Sequence, residues 1–150
     1  MTTRDAGRIS RARGGDGRRA PVHRADLRIE AWGPTREACF AEAVRALVDS
    51  FVRRTLPVPA STVSYEVIGA GDAALLVSVL GEVITRIRRR NEVPVVTEVT
   101  ATPGGVLLRC EVLDTGAVLS SGVLPKGISR PRARIGPTEN GWFCSVRVDV

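Results

Sequence analysis

The apolar positions of this chain follow two periods, and the order in which they alternate outlines a fold. Leu27, Ile29 and Ala31 alternate with Arg28, Glu30 and Trp32, the two-residue repeat of a half-buried strand. Gly33-Pro34-Thr35 interrupts the repeat, and Thr35 is placed to cap a helix that carries Glu37 in its first turn. Phe40, Ala43, Val44, Leu47, Val48, Phe51 and Val52 then recur at helical spacing, with Glu42, Arg45 and Asp49 on the other face. Pro57 and Pro59 close that segment. Val63, Tyr65 and Val67 alternate with Ser64 and Glu66 as a second strand, and Gly69-Ala70-Gly71-Asp72 makes a turn in which Asp72 can cap the next helix. There Leu75, Leu76, Val79, Leu80, Val83, Ile84 and Ile87 restore the helical period. Arg86, Arg88, Arg89 and Arg90 fall in its last turns, where positive charge complements the carbonyl end of the dipole. Gly81 costs this helix about 1 kcal/mol against Ala, and close packing is the expected reason for it.

Beyond residue 92 the chain reads as strands. Residues 93–102 and 106–113 flank Pro103-Gly104-Gly105 as a hairpin. Residues 126–135 form a strand that Pro131 confines to an edge or a bulge. Residues 136–141 make the final turn and 142–150 the final strand. Strand, helix, strand, helix and a run of strands predicts an α+β domain over residues 22–150, with two amphipathic helices packed on one face of a largely antiparallel sheet. Residues 1–21 lack apolar periodicity and read as a disordered, arginine-rich arm.

Composition changes this picture in two respects. The net charge of +6 is concentrated in the arm, where Arg4, Arg8, Arg11, Arg13, Arg18 and Arg19 face only Asp5 and Asp16. Such an arm either solubilises the chain or touches RNA phosphates. The three cysteines, Cys39, Cys110 and Cys144, are odd in number and lack CxxC spacing, which fits reduced thiols in a cytoplasmic protein rather than a disulfide framework or zinc site. The N-terminus has no apolar run suited to a secretory signal, and no segment approaches the ~20 apolar residues of a membrane span.

Candidate chemistry is sparse. His23 is the single histidine, with no nucleophile elbow or Cys/His pair around it. Gly69-Ala70-Gly71 lacks the third glycine and the Lys-Ser/Thr of a phosphate loop, so a plain turn is the better reading. One constellation remains. If the first and last strands lie side by side, Asp26, Asp149 and the α-carboxylate of Val150 meet, near His23. Three hard oxygen groups suit Ca²⁺ or Mg²⁺ rather than zinc. The competing reading is that both aspartates are solvated strand-end residues.

The run His23-x-Ala25-Asp26-Leu27-x-Ile29-x-Ala31-Trp32-Gly33 resembles the opening of the archease family. Thr35-x-Glu37-Ala38-x-Phe40 is similar to the first family helix, Leu75-Leu76-Val77 with Leu80 and Glu82 to the second, and Lys126, Gly141-Trp142 and Val148-Asp149-Val150 to its closing strands. The resemblance implies an accessory protein, not a stand-alone enzyme, that activates the GTP-dependent RNA ligase of tRNA splicing by promoting its guanylylation and multiple turnover. It also implies a divalent metal, calcium with magnesium or manganese as substitutes, held by Asp26, Asp149 and Val150 with His23 in support. GTP is then shared with the ligase. The chain departs from the family pattern at Arg24, at Ser78, Val79 and Gly81, and at Ser129-Arg130-Pro131. Two alternatives follow: a divergent metal-binding interaction module that no longer activates a ligase, and an RNA-binding domain using the arm with Arg130, Arg132 and Arg134. Around those arginines the sequence has no interleaved aromatics for base stacking.

Overall fold

The structure, a computed structural model, describes residues 7–11, 26–55, 61–120, 124–128 and 133–150. In chain order the elements are β1 (Gly7–Arg11), β2 (Asp26–Gly33), α1 (Arg36–Asp49), β3 (Val52–Thr55), β4 (Ser61–Ile68), α2 (Asp72–Arg90), β5 (Glu92–Thr102) and β6 (Gly105–Asp114). A single 3-10 turn at Thr115–Ala117 leads to β7 (Val118–Ser120), β8 (Gly127–Ile128), β9 (Arg134–Thr138) and β10 (Gly141–Asp149). Every described strand pairing is antiparallel, as expected, but the strands divide into separate sheets. One runs β1-β2-β10 with β8 and β9 both on the far edge of β10, one runs β4-β6-β5, and β3 pairs with β7.

Both helices touch both larger sheets: α1 meets β2 and β5, and α2 meets β4 and β5 as well as β8 and β9. The core is accordingly mainly aliphatic, with Ile29, Leu47, Leu76, Leu80, Ile87, Val93 and Leu108 fully buried beside the aromatic rings of Phe40 and Phe51. Thr35 caps α1 as its sequence suggests, its Oγ1 accepting from the Ala38 N–H at 3.0 Å. Asp72 does not cap α2. Gly71, at φ 103°, takes the cap position and Asp72 enters the first turn, where Arg36 donates to its carboxylate at 2.9 Å. At the other end Asn91 stops α2 in the left-handed conformation, its N–H donating to the carbonyls of Arg86 and Ile87.

Four further expectations need correction. The segment Gly7–Arg11, assigned to a disordered arm, is β1 and covers the edge of β2 with Ile9 in register opposite Ile29; an uncovered β2 would present a row of unpaired backbone groups. The rest of residues 1–21 lies outside the described residues. The helical stripe of α1 overruns the helix: Ser50 Oγ donates to the Leu47 carbonyl at 2.6 Å as the last turn tightens, Phe51 stays buried, and Val52 opens β3. The strand expected at 126–135 is two strands, β8 on the C-terminal end of β10 and β9 on its N-terminal half, and β9 runs on to Thr138 so that the turn shrinks to Glu139-Asn140. Gly81 serves no close packing among the described residues, where a Cβ would meet nothing within 4 Å. Ser129, Arg130 and Pro131 lie outside the described residues.

Candidate metal centre

The ladder between β2 and β10 decides what can meet at the end of the sheet. Leu27, Ile29 and Ala31 alternate into the core from β2, and Cys144, Val146 and Val148 do so from β10. A slip of one residue would turn either set outward, so burial pins the register. In that register Val148 pairs with Leu27 and, one step on, Asp149 pairs with Asp26. The opposite end of the ladder is pinned by backbone contact: a Cβ on Gly33 would sit 2.5 Å from the Cys39 nitrogen, and one on Gly141 2.5 Å from the Gly33 carbonyl oxygen. The glycines of both resembling motifs are thus accounted for by packing.

Around Asp149 the chain adds a second strand and a cation. Gly127 pairs with Asp149 from the other side, and the Lys126 N–H donates to the Asp149 carbonyl at 2.8 Å. Arg88, at the end of α2, anchors this segment by donating to the Pro125 carbonyl at 3.1 Å. No sequence signal links these two, which stand 37 positions apart. Val150 follows with its side chain half-buried against the core. His23 lies outside the described residues. Among the described residues no group of three or more His, Cys, Asp or Glu side chains gathers as a metal cluster; the backbone register brings positions 26 and 149 together.

The thiols offer no competing soft site. A hydrogen bond with Cys39, reinforced by burial, holds the Cys144 thiol far above its ordinary range, and burial pushes up Cys110. Both stay protonated, whereas a metal takes the thiolate. The described cleft lined by Val63, Tyr65, Arg86, Glu92, Pro94 and Cys110 is occupied by its own partners. The Arg86 guanidinium lies 3.7 Å from the Tyr65 ring centre and pairs with Glu82 and Glu92 at 3.0 and 3.1 Å. Burial drives the Tyr65 phenol well above its ordinary range.

A family model described as the Archease protein family matches residues 19–150, the whole of the chain from just before β2 to its last residue. The chain belongs to the Archease protein family. Among curated proteins it is 36% identical over 134 residues to "Probable protein archease" of Mycobacterium tuberculosis, in strains CDC 1551 and H37Rv, covering 89% of this chain and 75% of each relative. Among solved structures it is similar to the solution structure of protein 1598 of Methanobacterium thermoautotrophicum, with a TM-score of 0.61 over 83% of this chain and 92% of that one. At 16% identity that likeness bears on the fold alone. Family membership bears out the resemblance read from the motifs, and β1 lies outside the matched segment.

No helix among the described residues is long and apolar enough to cross a membrane.

Proposed function

We propose that this chain is an archease-type accessory factor that promotes guanylylation and multiple turnover of a GTP-dependent tRNA-splicing RNA ligase. The observation that carries the reading is the pairing of Asp26 with Asp149 at the end of the β2–β10 ladder, in a chain of this family. Asp26, Asp149 and the α-carboxylate of Val150 would hold a hard divalent cation, calcium before magnesium or manganese, with His23 in support. The donor set suits such an ion because it is carboxylate throughout. A cation there offsets phosphate charge. The chain's own contribution is positional: burial of Leu27 and Val148 fixes the two aspartates in register, and Lys126 holds the strand end through the Asp149 carbonyl. Bond making belongs to the ligase, and GTP is shared with it. Three unpaired cysteines, all buried, support a reducing compartment such as the cytoplasm.

The test is ligation of tRNA halves by the ligase with GTP, comparing one turnover with many. The wild-type chain should raise the number of turnovers, and Asp26→Asn and Asp149→Asn should not. Stimulation that survives both substitutions overturns the metal-dependent reading.

One observation favours a second reading, a metal-binding interaction module that no longer activates a ligase. Of the three α2 departures from the family pattern, Ser78 is exposed and a Cβ on Gly81 would meet nothing within 4 Å among the described residues, while Val79 is buried in the core. Calcium binding without any stimulation of turnover would select this alternative.

A further inference from the structure

The sheet that carries Asp26 and Asp149 has a face turned away from the helices. Because Ile29, Ala31, Cys144 and Val146 are buried, the pleat turns the intervening residues of β2 and β10 outward. Across the strands, the register aligns Trp32, Phe143 and Gly136 in one row. The next row is Glu30, Ser145 and Arg134, and the one after it Arg28 and Arg147. Trp32 and Phe143 form a tilted ring pair, centroids 5.4 Å apart at 55°. A Cβ on Gly136 would meet nothing within 4 Å among the described residues, which leave the space beside it on the β9 side open. Arg28 and Arg134 are exposed, Arg147 is half-buried, and Glu30 is the one carboxylate within the three rows. Asp26 and Asp149 form the next row.

The outward face of the β4-β6-β5 sheet has the opposite character. Glu66, Glu98 and Glu111 are exposed there with Arg109, and the exposed apolar side chains are the aliphatic Ile68, Val96 and Leu107. Guanidinium groups and aromatic rings thus lie together in three rows of one sheet face, with the Asp26–Asp149 row beyond them, whereas the other face carries three glutamates and, among the described residues, no aromatic ring. This gathering is invisible along the sequence, where Arg134 has no aromatic neighbour. Strand pairing supplies Phe143 and Trp32 from 9 and 102 positions away.

We propose that the outward face of β2, β10 and β9 binds single-stranded nucleic acid. Bases stack on Trp32 and Phe143, and Arg134, Arg28 and Arg147 hold the phosphates. Aromatic platforms beside a positive track are the chemistry that binds single strands without regard to sequence, because every base has a π-face and every linkage a charge. Successive outward rows are about 7 Å apart along a strand, so the phosphate flanking a stacked base falls within reach of the arginine rows. A duplex hides its base faces and offers only phosphates. The rings lie half-buried against each other rather than projecting, which suits stacking better than insertion into a lipid surface. The inference is independent of the ligase reading and of any metal.

The test uses the full chain and a labelled oligouridylate of about 12 nucleotides, a length within the span of single-strand sites, read by anisotropy. A duplex RNA of the same length and vesicles of phosphatidylserine and phosphatidylcholine serve as competing probes. The oligouridylate should bind more tightly than the duplex, and Phe143→Ala and Trp32→Ala should each weaken it at least about fivefold. Arg134→Glu should weaken it and lower the slope of log affinity against log salt by about one, while Glu98→Gln on the other sheet should change nothing. Arg134→Glu and Arg28→Glu alter exposed positions and carry the test if the ring variants fail to fold. Unchanged affinity in Arg134→Glu and Arg28→Glu overturns the proposal, since binding would then belong to the N-terminal arginines. Equal affinity for duplex, or binding to vesicles with the oligouridylate ignored, overturns it too.

Discussion

Asp26 and Asp149 are direct cross-strand partners, the last pair of the β2–β10 ladder. Like charges at such positions destabilise a sheet, yet the register that sets them opposite one another also buries Leu27 and Val148. A bound cation would turn the unfavourable pair into a favourable one. Calcium at about 100 times its dissociation constant should then stabilise the fold by about 2.7 kcal/mol, a rise of several degrees in Tm for a chain of this size. Asp149→Asn should lose the calcium-dependent rise while its metal-free Tm does not fall. Scanning calorimetry with and without calcium makes the comparison, and an equal rise in both proteins would remove the pair from any cation site.

Arg86 joins three elements. Its guanidinium stacks over Tyr65 of β4 at 3.7 Å and bonds to Glu82 of α2 and Glu92 of β5, with only 17% of the side chain exposed. Arg86→Ala should cost about 2–4 kcal/mol, because a desolvated cation–π contact is worth up to about 2 kcal/mol and two carboxylates lose their partner. Arg86→Lys keeps the charge but loses the planar fork and stack, so it should recover less than half of the loss. Urea unfolding measures both. A cost below about 0.5 kcal/mol for Arg86→Ala would reduce the cluster to an ordinary solvated ion pair.

Two neighbours in α2 should respond in opposite directions. Leu80 is fully buried, and Leu80→Ala should destabilise by about 2–5 kcal/mol through the cavity it leaves. Gly81 has open space where its Cβ would be. Gly81→Ala should stabilise by about 1 kcal/mol, since the added methyl meets no neighbour and glycine is the poorer helix former. Thermal unfolding should show Gly81→Ala melting about 2–4 °C above the wild type. A lower Tm would mean that something packs on α2 at that position.

The elements that sequence periodicity disclosed are those whose burial repeats locally. The stripe through Leu75, Leu76, Val79, Leu80, Val83, Ile84 and Ile87 is the buried face of α2, and Leu27, Ile29 and Ala31 are the buried face of β2. Where a boundary depends on a hydrogen bond or a distant partner, the pattern misleads. Phe51 and Val52 continue the α1 stripe but lie past its end, because the final turn tightens at Ser50. Gly7–Arg11 has a single apolar residue and pairs only because β2 offers an open edge. The Asp26–Asp149 pairing could be foreseen only as a condition on two strands being neighbours, and the Trp32–Phe143 pair not at all. Both depend on register across more than a hundred residues.

Asp49 closes α1 with its side chain exposed to solvent. Partial desolvation at the helix end still raises its pKa above the ordinary aspartate value of 3.8, with Arg45 drawing it part of the way back. An anion at this end also faces the helix carbonyls, and α1 has no basic residue in its last turn. A carboxyl whose folded-state pKa is raised holds its proton more tightly folded than unfolded. Stability therefore falls as pH rises from about the unfolded value through the raised folded value, and the full penalty stands above that window. Asp49→Asn removes the charge and with it this dependence. At pH 7 the variant should melt above the wild type, and the difference should shrink as pH drops through the window and vanish where the wild-type carboxyl is protonated in both states. Thermal unfolding across buffers from about pH 3 to pH 7 spans the transition. A wild type that is the more stable of the two at pH 7 would mean that the ionised carboxylate has a favourable partner that outweighs its partial desolvation.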